Sequence, residues 1–276
     1  VQEMRHGMYL ADYHTHSDCS PDASFPMTQM ALAAVEAGLD ELCFTDHLEP
    51  VTWTDQQPSP PYPWHKLQAE FQKAREAVGN RIELRLGVEL GDAPRDFAHT
   101  QTLMADAPEL DFIIGSEHML SGRYGWIDLS VFNPGDEASA RAGIADYLTL
   151  VYEMAKWGKF SVLGHLTLPL RYLNEKRGFH LTFDGFEAEV EAIFRALIEN
   201  GCGIEINTNR GNDPLPGEKW LRMYRQLGGE IITLGSDAHS PNFVGCAIRQ
   251  RQELLRACGF TRFCTFEKMQ PVWHAL

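Results

Sequence analysis

The sequence predicts an α/β protein, a distorted (β/α)7 barrel of the TIM type. Short apolar runs alternate with helical segments seven times along the chain, which is the pattern of a barrel of parallel strands. No glycine-rich dinucleotide loop follows the first apolar run, so the alternative of a doubly wound open sheet is less favoured. We therefore expect seven strands in a closed or nearly closed barrel.

The predicted strands are short runs rich in Ile, Val, Leu or Phe. Continuous apolar runs of this kind are typical of parallel strands with both faces buried. The predicted strands are Met8–Tyr13, Leu42–Asp46, Ile82–Leu90, Phe112–Ser116, Phe160–Gly164, Gly203–Asn207 and Glu230–Gly235.

The intervals between these strands contain apolar residues at helical spacing. In the second interval, Leu67, Phe71 and Ala74 are separated by four and three residues, which places them on one face of a helix. Several segments end just before a glycine, the residue preferred after a helix C-terminus. The predicted helices are Met27–Ala37, His65–Val78, Asp96–Ala105, Glu137–Lys156, Phe183–Glu199, Glu218–Leu227 and Phe243–Ala257.

Two segments depart from the alternation. Glu49–Trp64 contains five prolines and two tryptophans, which is too proline-rich for a helix or a central strand. It follows the second strand, where a barrel places functional loops, so it forms either a lid or a packed surface loop. The tail contains one more predicted strand, Phe263–Glu267, outside the barrel. The length of 276 residues suits a single domain spanning 1–276.

The composition excludes some classes of partner. With 24 Lys and Arg against 38 Asp and Glu, the formal charge is −14, which disfavours long nucleic acid. No apolar run approaches the roughly 20 residues that span a bilayer, and no signal peptide is present, so we expect no membrane contact. Six scattered cysteines without a C-x-x-C pair predict reduced thiols and a cytoplasmic location. The oligomeric state is left open.

Six of the eleven histidines lie at the carboxyl ends of predicted strands. In a barrel these ends meet on one face, where catalytic groups lie. Residues two apart in an extended chain point to the same side, so His14 and His16 can bind one cation together. Asp237 and His239 repeat this spacing after the last strand, the neighbour of the first in a closed barrel. The remaining strand-end candidates are His47, Glu89, His118 and His165.

This ligand set combines imidazoles and carboxylates without cysteine. It suits catalytic zinc, manganese or iron, and not a structural thiolate zinc site. It also exceeds what one tetrahedral ion requires, so two or three ions are expected at the carboxyl ends of the strands. Clustered metals activate water and stabilise charge on oxygen atoms, which is chemistry suited to the hydrolysis of phosphate esters.

The motifs resemble, in order, those of the polymerase and histidinol phosphatase (PHP) superfamily. The chain length and the tail Gly259-Phe260…Phe266-Glu267…Pro271 look like the histidinol-phosphatase branch. The motifs are His14-Thr15-His16, Thr45-Asp46-His47, Glu89, Gly115-Ser116-Glu117-His118, Gly164-His165 and Ser236-Asp237-Ala238-His239. The resemblance implies a distorted seven-unit barrel with a trinuclear metal site.

The resemblance also implies which residues bind each of the three divalent ions. The first ion takes His14, His16, Glu89 and Asp237. Glu89 bridges to a second ion, which His118 and His165 complete. The third takes His47, His239 and one residue of the early loop. That position falls on Asp22, with Asp18 as the competitor by proximity.

The resemblance implies a phosphomonoesterase that hydrolyses L-histidinol phosphate to L-histidinol and phosphate through a hydroxide bridging the metals. The assigned catalytic residues are Glu89, Asp237 and His239. Because arginine matches phosphate with paired hydrogen bonds, Arg171 and Arg210 are substrate-binding candidates, together with Asn207, and Arg123 is a weaker one.

Several alternatives stay open from the sequence. The substrate could be another small phosphate ester or a nucleotide, the enzyme could instead cleave C–N bonds as amidohydrolase barrels do, or the domain could be non-catalytic. Asp12 and Asp46 could orient ligand imidazoles or cap strand ends. Glu117, beside His118, could tune the site or point into the barrel wall.

Overall fold

The computed structural model describes residues 7–276, and its centre is a seven-stranded parallel sheet. Each strand pairs with the next one along the chain, in the order β1 to β7. The strands are β1 Ala11–Asp12, β2 Glu41–Leu48, β3 Glu83–Gly91, β4 Phe112–Ser116, β5 Val162–Leu163, β6 Gly203–Asn207 and β7 Ile232–Gly235.

Backbone hydrogen bonds join the two ends of this sheet. The amide of Tyr13, just after β1, donates to the carbonyl of Leu234 in β7 at 2.8 Å, and Thr15 forms a parallel bridge with Ala238. The strands therefore curl into a nearly closed barrel, and the predicted fold class is confirmed. Closure brings the segments after β1 and β7 side by side.

The helices lie between the strands. They are α1 Met27–Glu36, α2 Trp64–Val78, α3 Phe97–Met104, α4 Glu137–Trp157, α5 Leu168–Leu170, α6 Glu187–Glu199, α7 Glu218–Gln226 and α8 Ile248–Ala257. The sequence also missed a π-helical turn, Arg171–Lys176, which continues α5. Asp136 caps α4 by accepting the amide of Ser139, and Gly158 ends it in the left-handed conformation.

The helix and strand boundaries differ from the predicted ones where the local backbone is irregular. The prediction began the last helix at Phe243, but Gly245 and Ala247 have φ values of 72° and 58°, so the helix starts at Ile248. Strand β2 extends two residues past its predicted end, so His47 lies inside it. Hydrophobic runs mark which segments are buried, but regular pairing decides where a strand ends.

A two-stranded antiparallel hairpin, β8 Arg262–Glu267 and β9 Gln270–Ala275, packs at the amino ends of the barrel strands. Phe266 of the hairpin packs against Phe112, the first residue of β4, with ring centroids 5.0 Å apart and the rings tilted by 43°. Tyr13 packs edge-on against the same Phe112 ring, also at 5.0 Å. The hairpin thus closes one end of the barrel. The strand predicted outside the barrel is present, and its partner β9 was not predicted.

In the range from Gly7 to Leu276, no helix has the length and apolar character needed to cross a membrane. Because the hairpin covers the amino ends of the strands, the carboxyl ends form the face of the barrel that is accessible to a ligand.

Candidate metal centre

The strand-end side chains converge on a cavity of about 300 Å³ at the carboxyl ends of the barrel. Its wall is polar and contains both imidazoles and carboxylates. The residues that line it are Asp22, His47, Trp53, Glu89, His118, Asp128, Ser130, His165, Leu168, Arg171, Tyr172, Asp237 and His239. His14 and His16 lie beneath this surface and are fully buried.

Two carboxylates face the buried pair of histidines. Oε2 of Glu89 lies 3.2 Å from Nε2 of His14 and 3.3 Å from Nε2 of His16. Oδ1 of Asp237 lies 3.6 Å and 3.5 Å from the same two nitrogens. Neither of these nitrogens has a hydrogen-bond partner in the described residues. Two imidazole nitrogens and two carboxylate oxygens therefore surround one point, as the ligands of a cation do.

The second oxygen of Glu89 faces another pair of histidines. Oε1 lies 2.9 Å from Nε2 of His165 and 3.2 Å from Nε2 of His118. Glu89 thus presents one oxygen to each of two ligand groups, which is the arrangement of a bridging carboxylate.

A third group lies at the mouth of the cavity. Oδ2 of Asp22 is 3.0 Å from Nε2 of His239 and 3.6 Å from Nε2 of His47. Asp18, the competing early-loop residue, is exposed. His16, His47 and His239 also offer nitrogens within 4.8 Å of one another. Every residue predicted from the sequence as a metal ligand therefore lies in one of three adjoining groups.

The backbone after β7 is strained where it delivers its carboxylate. Asp237 has a φ of 58°, in the left-handed region that residues other than glycine seldom adopt. A side chain at the preceding Gly235 would overlap His14 and Glu205. Glycine at 235 and the strained turn at 237 together allow close packing under the site.

Further groups hold the two buried histidines from behind. Glu205, on β6, accepts a hydrogen bond from Nδ1 of His14 at 2.6 Å. Ser20 contacts Nδ1 of His16 at 3.2 Å and donates to Asp46 at 2.6 Å. Asp46 therefore acts on an imidazole through Ser20.

Asp12 has the other role that the sequence left open. Its carboxylate accepts the amides of Ser236 and Gly245, each at 2.8 Å. It also accepts the Ser236 hydroxyl at 2.5 Å, and none of its side-chain hydrogen bonds in residues 7–276 is to an imidazole. Asp12 therefore joins the end of β1 to the loop after β7, as a strand-end cap does.

The charges in the cluster shift one another's protonation. Burial disfavours the charged form of Glu89, but the surrounding imidazoles outweigh it and hold the pKa of Glu89 well below its usual range. Burial likewise opposes ionisation of Asp237, whose pKa is nevertheless depressed by His14 and Arg171. The pKa of His14 is raised because three carboxylates outweigh its burial, whereas burial lowers that of His16. The depressed pKa values of Glu89 and Asp237 favour their ionised forms, which are the forms that bind metal ions.

Glu117 lies outside the cavity, which settles one open question. Its side chain is 2% exposed, and its Oε1 lies 3.4 Å from the amide of Met119. Burial and then the neighbouring Asp92 raise the pKa of Glu117 well above its usual range. Asp92 in turn accepts the amide of His118 at 2.7 Å. Glu117 is therefore part of the barrel wall behind that histidine.

Arg171 is the one Arg or Lys among the residues that line the cavity. Its guanidinium donates to Asp237 Oδ2 at 2.9 Å, to Asn207 Oδ1 at 3.0 Å and to Asn209 Oδ1 at 2.8 Å. Asn207 is fully buried beneath it and does not line the cavity. The side-chain amide nitrogen of Asn209 also donates to Glu175 at 2.7 Å. Glu175 thus holds Asn209 in the position where it accepts the hydrogen bond from Arg171.

Arg210 lies elsewhere. It is exposed and stacks over Phe243, with its guanidinium carbon 5.1 Å from the ring centroid. Arg123 is exposed too. Neither lines the cavity, so the contact of Arg210 with substrate stays a prediction that its position does not support.

The proline-rich segment after β2 forms part of the cavity wall through Trp53. The indole packs edge-on against His47, with ring centroids 4.8 Å apart. A second cavity of about 540 Å³, more apolar than the first, is lined by the same segment together with Cys19 and Leu103. The segment is therefore packed against the site in this structure.

Sequence reasoning assigned no role to two residues that support the site, Glu49 and Glu205, whereas Asn209 was a candidate donor to phosphate together with Asn207. Glu205 follows the same alternation along β6 as Asn207, so strand periodicity could have shown that it points inward. Glu49 stands two residues after His47, the same spacing as the histidine pair.

Comparisons with known proteins agree with this geometry. The PHP domain family matches residues 12–209. A Deinococcus radiodurans protein named "Probable histidinol-phosphatase" is 30% identical over 275 residues, 95% of this chain and 99% of that protein. The histidinol-phosphatase of Lactococcus lactis is 27% identical over 277 residues, 95% of this chain and 96% of that protein.

A solved structure shows the same fold. Histidinol phosphate phosphatase from Lactococcus lactis, complexed with zinc, L-histidinol and phosphate, superimposes with a TM-score of 0.80 at 24% identity. The superposition covers 96% of this chain and 100% of that one. Together with the match of the family over most of the barrel, this similarity shows that the chain belongs to the PHP domain family, as its motifs predict.

Proposed function

We propose that this protein is a metal-dependent phosphomonoesterase that hydrolyses L-histidinol phosphate to L-histidinol and phosphate. One observation carries the proposal: three groups of imidazoles and carboxylates lie at the same cavity as an arginine that is held by hydrogen bonds. The names of the relatives from Deinococcus and Lactococcus support the choice of substrate.

The residues present fit a group of three divalent ions. Buried nitrogens without partners point at carboxylates, and the set contains no thiolate, which favours zinc, manganese or iron. In this proposal His14, His16, Glu89 and Asp237 bind the first ion. Glu89, His118 and His165 bind the second, and Asp22, His47 and His239 bind the third. Bound ions would supply Lewis acidity toward a phosphoryl oxygen and make water in the site more acidic.

The protein's own groups orient the phosphate. Arg171 is held by Asn207, Asn209 and Asp237, so its guanidinium is ordered before substrate binds. It therefore pairs with phosphate at little entropic cost. Asp237 divides its two oxygens between the histidine pair and Arg171, which ties the position of the arginine to the ligand groups. The catalytic roles predicted for Glu89, Asp237 and His239 belong to this proposal.

Another part of the cavity lining suits a cationic organic group. Asp128 lines the cavity, and its Oδ1 accepts the amide of Ser130 at 2.7 Å, which leaves Oδ2 available. Tyr172 and Trp53 supply aromatic surface beside it. A substrate with an ammonium or imidazole at one end and phosphate at the other matches a cavity with a carboxylate and an arginine. No lysine lines the cavity, so the bridging carbamate of many amidohydrolases has no counterpart there.

The proposal treats residues 1–276 as one domain, of which 1–6 lie outside the described part. The hairpin supports this because it packs on the barrel. The predicted cytoplasmic location is supported by six cysteines that are all free.

The test is phosphate release by metal-reconstituted protein. We expect kcat/KM for L-histidinol phosphate to exceed that for AMP, glycerol phosphate and p-nitrophenyl phosphate by at least about 10²-fold, a ratio within reach of polar recognition. Asp128→Asn should raise KM for L-histidinol phosphate and leave p-nitrophenyl phosphate unchanged, with exposed Asp18→Asn as the control. Equal turnover of all esters, or none of L-histidinol phosphate, would refute the assignment.

A further inference from the structure

We propose that Glu49 is a positioning residue whose single carboxylate orients two histidines belonging to different ligand groups, His47 and His118. The inference rests on the metal centre proposed above and deepens it. If Glu49 has this role, binding of the second and third ions depends on it and binding of the first ion does not.

Glu49 follows the last residue of β2 and turns its carboxylate inward. The side chain is only 8% exposed, and Oε1 lies 2.8 Å from Nδ1 of His47. Ligand atoms of His47, Glu49 and His118 lie within 4.8 Å of one another. Among the described residues, no aligned hydrogen bond reaches Oε1 of Glu49 or Nδ1 of either histidine. Nδ1 of His47 thus lies between Oε1 of Glu49 and Oε2 of Glu89, the latter at 3.3 Å, and Glu49 is the shorter of the two contacts. His118 is the more distant member of the group, within 4.8 Å.

Each histidine directs its other nitrogen to the cavity. Nε2 of His47 lies 3.6 Å from Asp22, and Nε2 of His118 lies 3.2 Å from Glu89. A carboxylate that accepts a hydrogen bond from Nδ1–H keeps the hydrogen on Nδ1 and the lone pair on Nε2, the nitrogen that faces the proposed ion. Carboxylate–histidine–metal arrangements fix the tautomer and the ring orientation in this way.

Gly91 shows that the space around this carboxylate is fully used. A Cβ at position 91 would lie 2.9 Å from Oε1 of Glu49 and 3.0 Å from Nδ1 of His118. The φ of Gly91 is not positive, so glycine is needed for room and not for an unusual backbone. The end of β3 thus presses the carboxylate of Glu49 toward the histidines.

The consequence is a difference between the three ions. The second and third ions each depend on a histidine that Glu49 orients. The first ion depends on His14, His16, Glu89 and Asp237, none of which Glu49 contacts in the described structure. Loss of the Glu49 carboxylate should therefore weaken two ions and spare one.

The test is metal binding by the full chain carrying Glu49→Gln. Zn²⁺ is titrated into metal-free protein in a metal-buffered solution, and bound zinc per chain is measured by atomic emission. We expect the variant to keep one tight ion and to bind the other two about 10- to 100-fold more weakly, the range for loss of such a partner. Glu49→Asp should restore part of the affinity, and Glu36→Gln, at an exposed glutamate of α1, should match the unchanged protein.

A second variant keeps the experiment decisive if Glu49→Gln does not fold. Gly91→Ala retains Glu49, but its Cβ would displace the Glu49 carboxylate and press on Nδ1 of His118, so the same two ions should bind more weakly. Wild-type affinity in both variants, or equal loss of all three ions, would contradict the proposal. The proposal would also be contradicted if the unchanged protein bound four ions tightly and Glu49→Gln bound three, because Glu49 would then be a metal ligand itself. Zinc binding is independent of turnover, so a protein with this metal pattern but no phosphatase activity would refute only the proposed function.

Discussion

A buried carboxylate at the amino end of the barrel and the buried imidazoles at its carboxyl end differ in the hydrogen-bond partners that the protein gives them. At the amino end, the carboxylate of Glu41 accepts hydrogen bonds from Tyr9 at 2.7 Å, Tyr13 at 2.5 Å and Arg85 at 3.0 Å. At the carboxyl end, ring nitrogens of His14, His16, His47, His118 and His165 are buried without hydrogen-bond partners in the described chain. Glu41 thus finds three donors within the protein, whereas each of these five imidazoles has one ring nitrogen without an aligned partner in the described residues.

Left-handed backbone conformations follow several strands at the carboxyl end, although the hairpin turn at the amino end has two of its own, at Lys268 and Met269. The left-handed residues Asp92, Asn209 and Asp237 follow β3, β6 and β7 at the carboxyl end, where they hold side chains beside the ligand groups. Strain of this kind costs about 1–3 kcal/mol per residue and persists only where the surroundings impose it. The packed amino end, with Phe112 against Phe266, supplies part of the stability that tolerates it. Function and stability are thus separated along the barrel axis, and mutations can test this.

The largest effect is expected for Asp237→Ala at the carboxyl end. This change removes an oxygen that we propose as a metal ligand, together with the partner of Arg171. The kcat/KM for L-histidinol phosphate should therefore fall by about 10³-fold or more, as for loss of a preorganised catalytic group. Bound metal should fall with it. The far-UV circular dichroism spectrum should be unchanged, since the core at the amino end is intact. Activity within tenfold of the unchanged protein would show that the carboxylate is not required.

Arg171→Ala should have the next largest effect. We expect kcat/KM to fall by about 10²-fold and the inhibition constant for inorganic phosphate to rise, because a charge-assisted pair is lost. Exposed Arg210→Ala is the matched control and should change neither value by more than about twofold. If Arg210→Ala lowered kcat/KM strongly and Arg171→Ala did not, the sequence prediction for Arg210 would be right and our placement of the phosphate would be wrong.

Phe266→Ala should damage stability and spare chemistry. The side chain is 3% exposed, so its loss should lower the free energy of unfolding by about 3–5 kcal/mol, measured by urea denaturation. Metal content and kcat below the melting temperature should not change. Val272→Ala, at a 39% exposed position of the same hairpin, should cost far less. A large loss of kcat in folded Phe266→Ala would show that the two ends are coupled.

The smallest effect is expected at the rim, for Trp53→Ala. Removal of the indole deletes an aromatic contact worth about 0.5–1.5 kcal/mol, so KM should rise by roughly 2- to 10-fold with kcat nearly unchanged. Steady-state kinetics on L-histidinol phosphate measure both. A drop in kcat without a change in KM would instead favour the alternative that Glu49–Trp64 acts as a lid, since closure would then limit turnover.

Much of the fold was predictable because parallel strands leave a strong pattern. All seven strands were located, and β4 and β6 were predicted to the residue, since their continuous apolar runs coincide with their paired segments. The short β1 and β5 were predicted too long, because burial extends beyond the hydrogen-bonded pairs. The π-helical turn Arg171–Lys176 has no hydrophobic periodicity of its own, so it was missed.

The sequence by itself determined the ligand residue types, their order along the chain and their position at strand ends, because local pattern controls all three. Only the tertiary structure decided which of these residues touch. Barrel closure brings Asp237 next to His14, over 200 positions away, and the pairing of β1 with β2 brings Glu41 next to Tyr13 at the other end. It also separated Arg171 from Arg210, since exposure and direction depend on packing between distant segments. The roles of Glu49 and Glu205 came only from three-dimensional contacts, because a supporting carboxylate has no sequence signature apart from the ligand it touches.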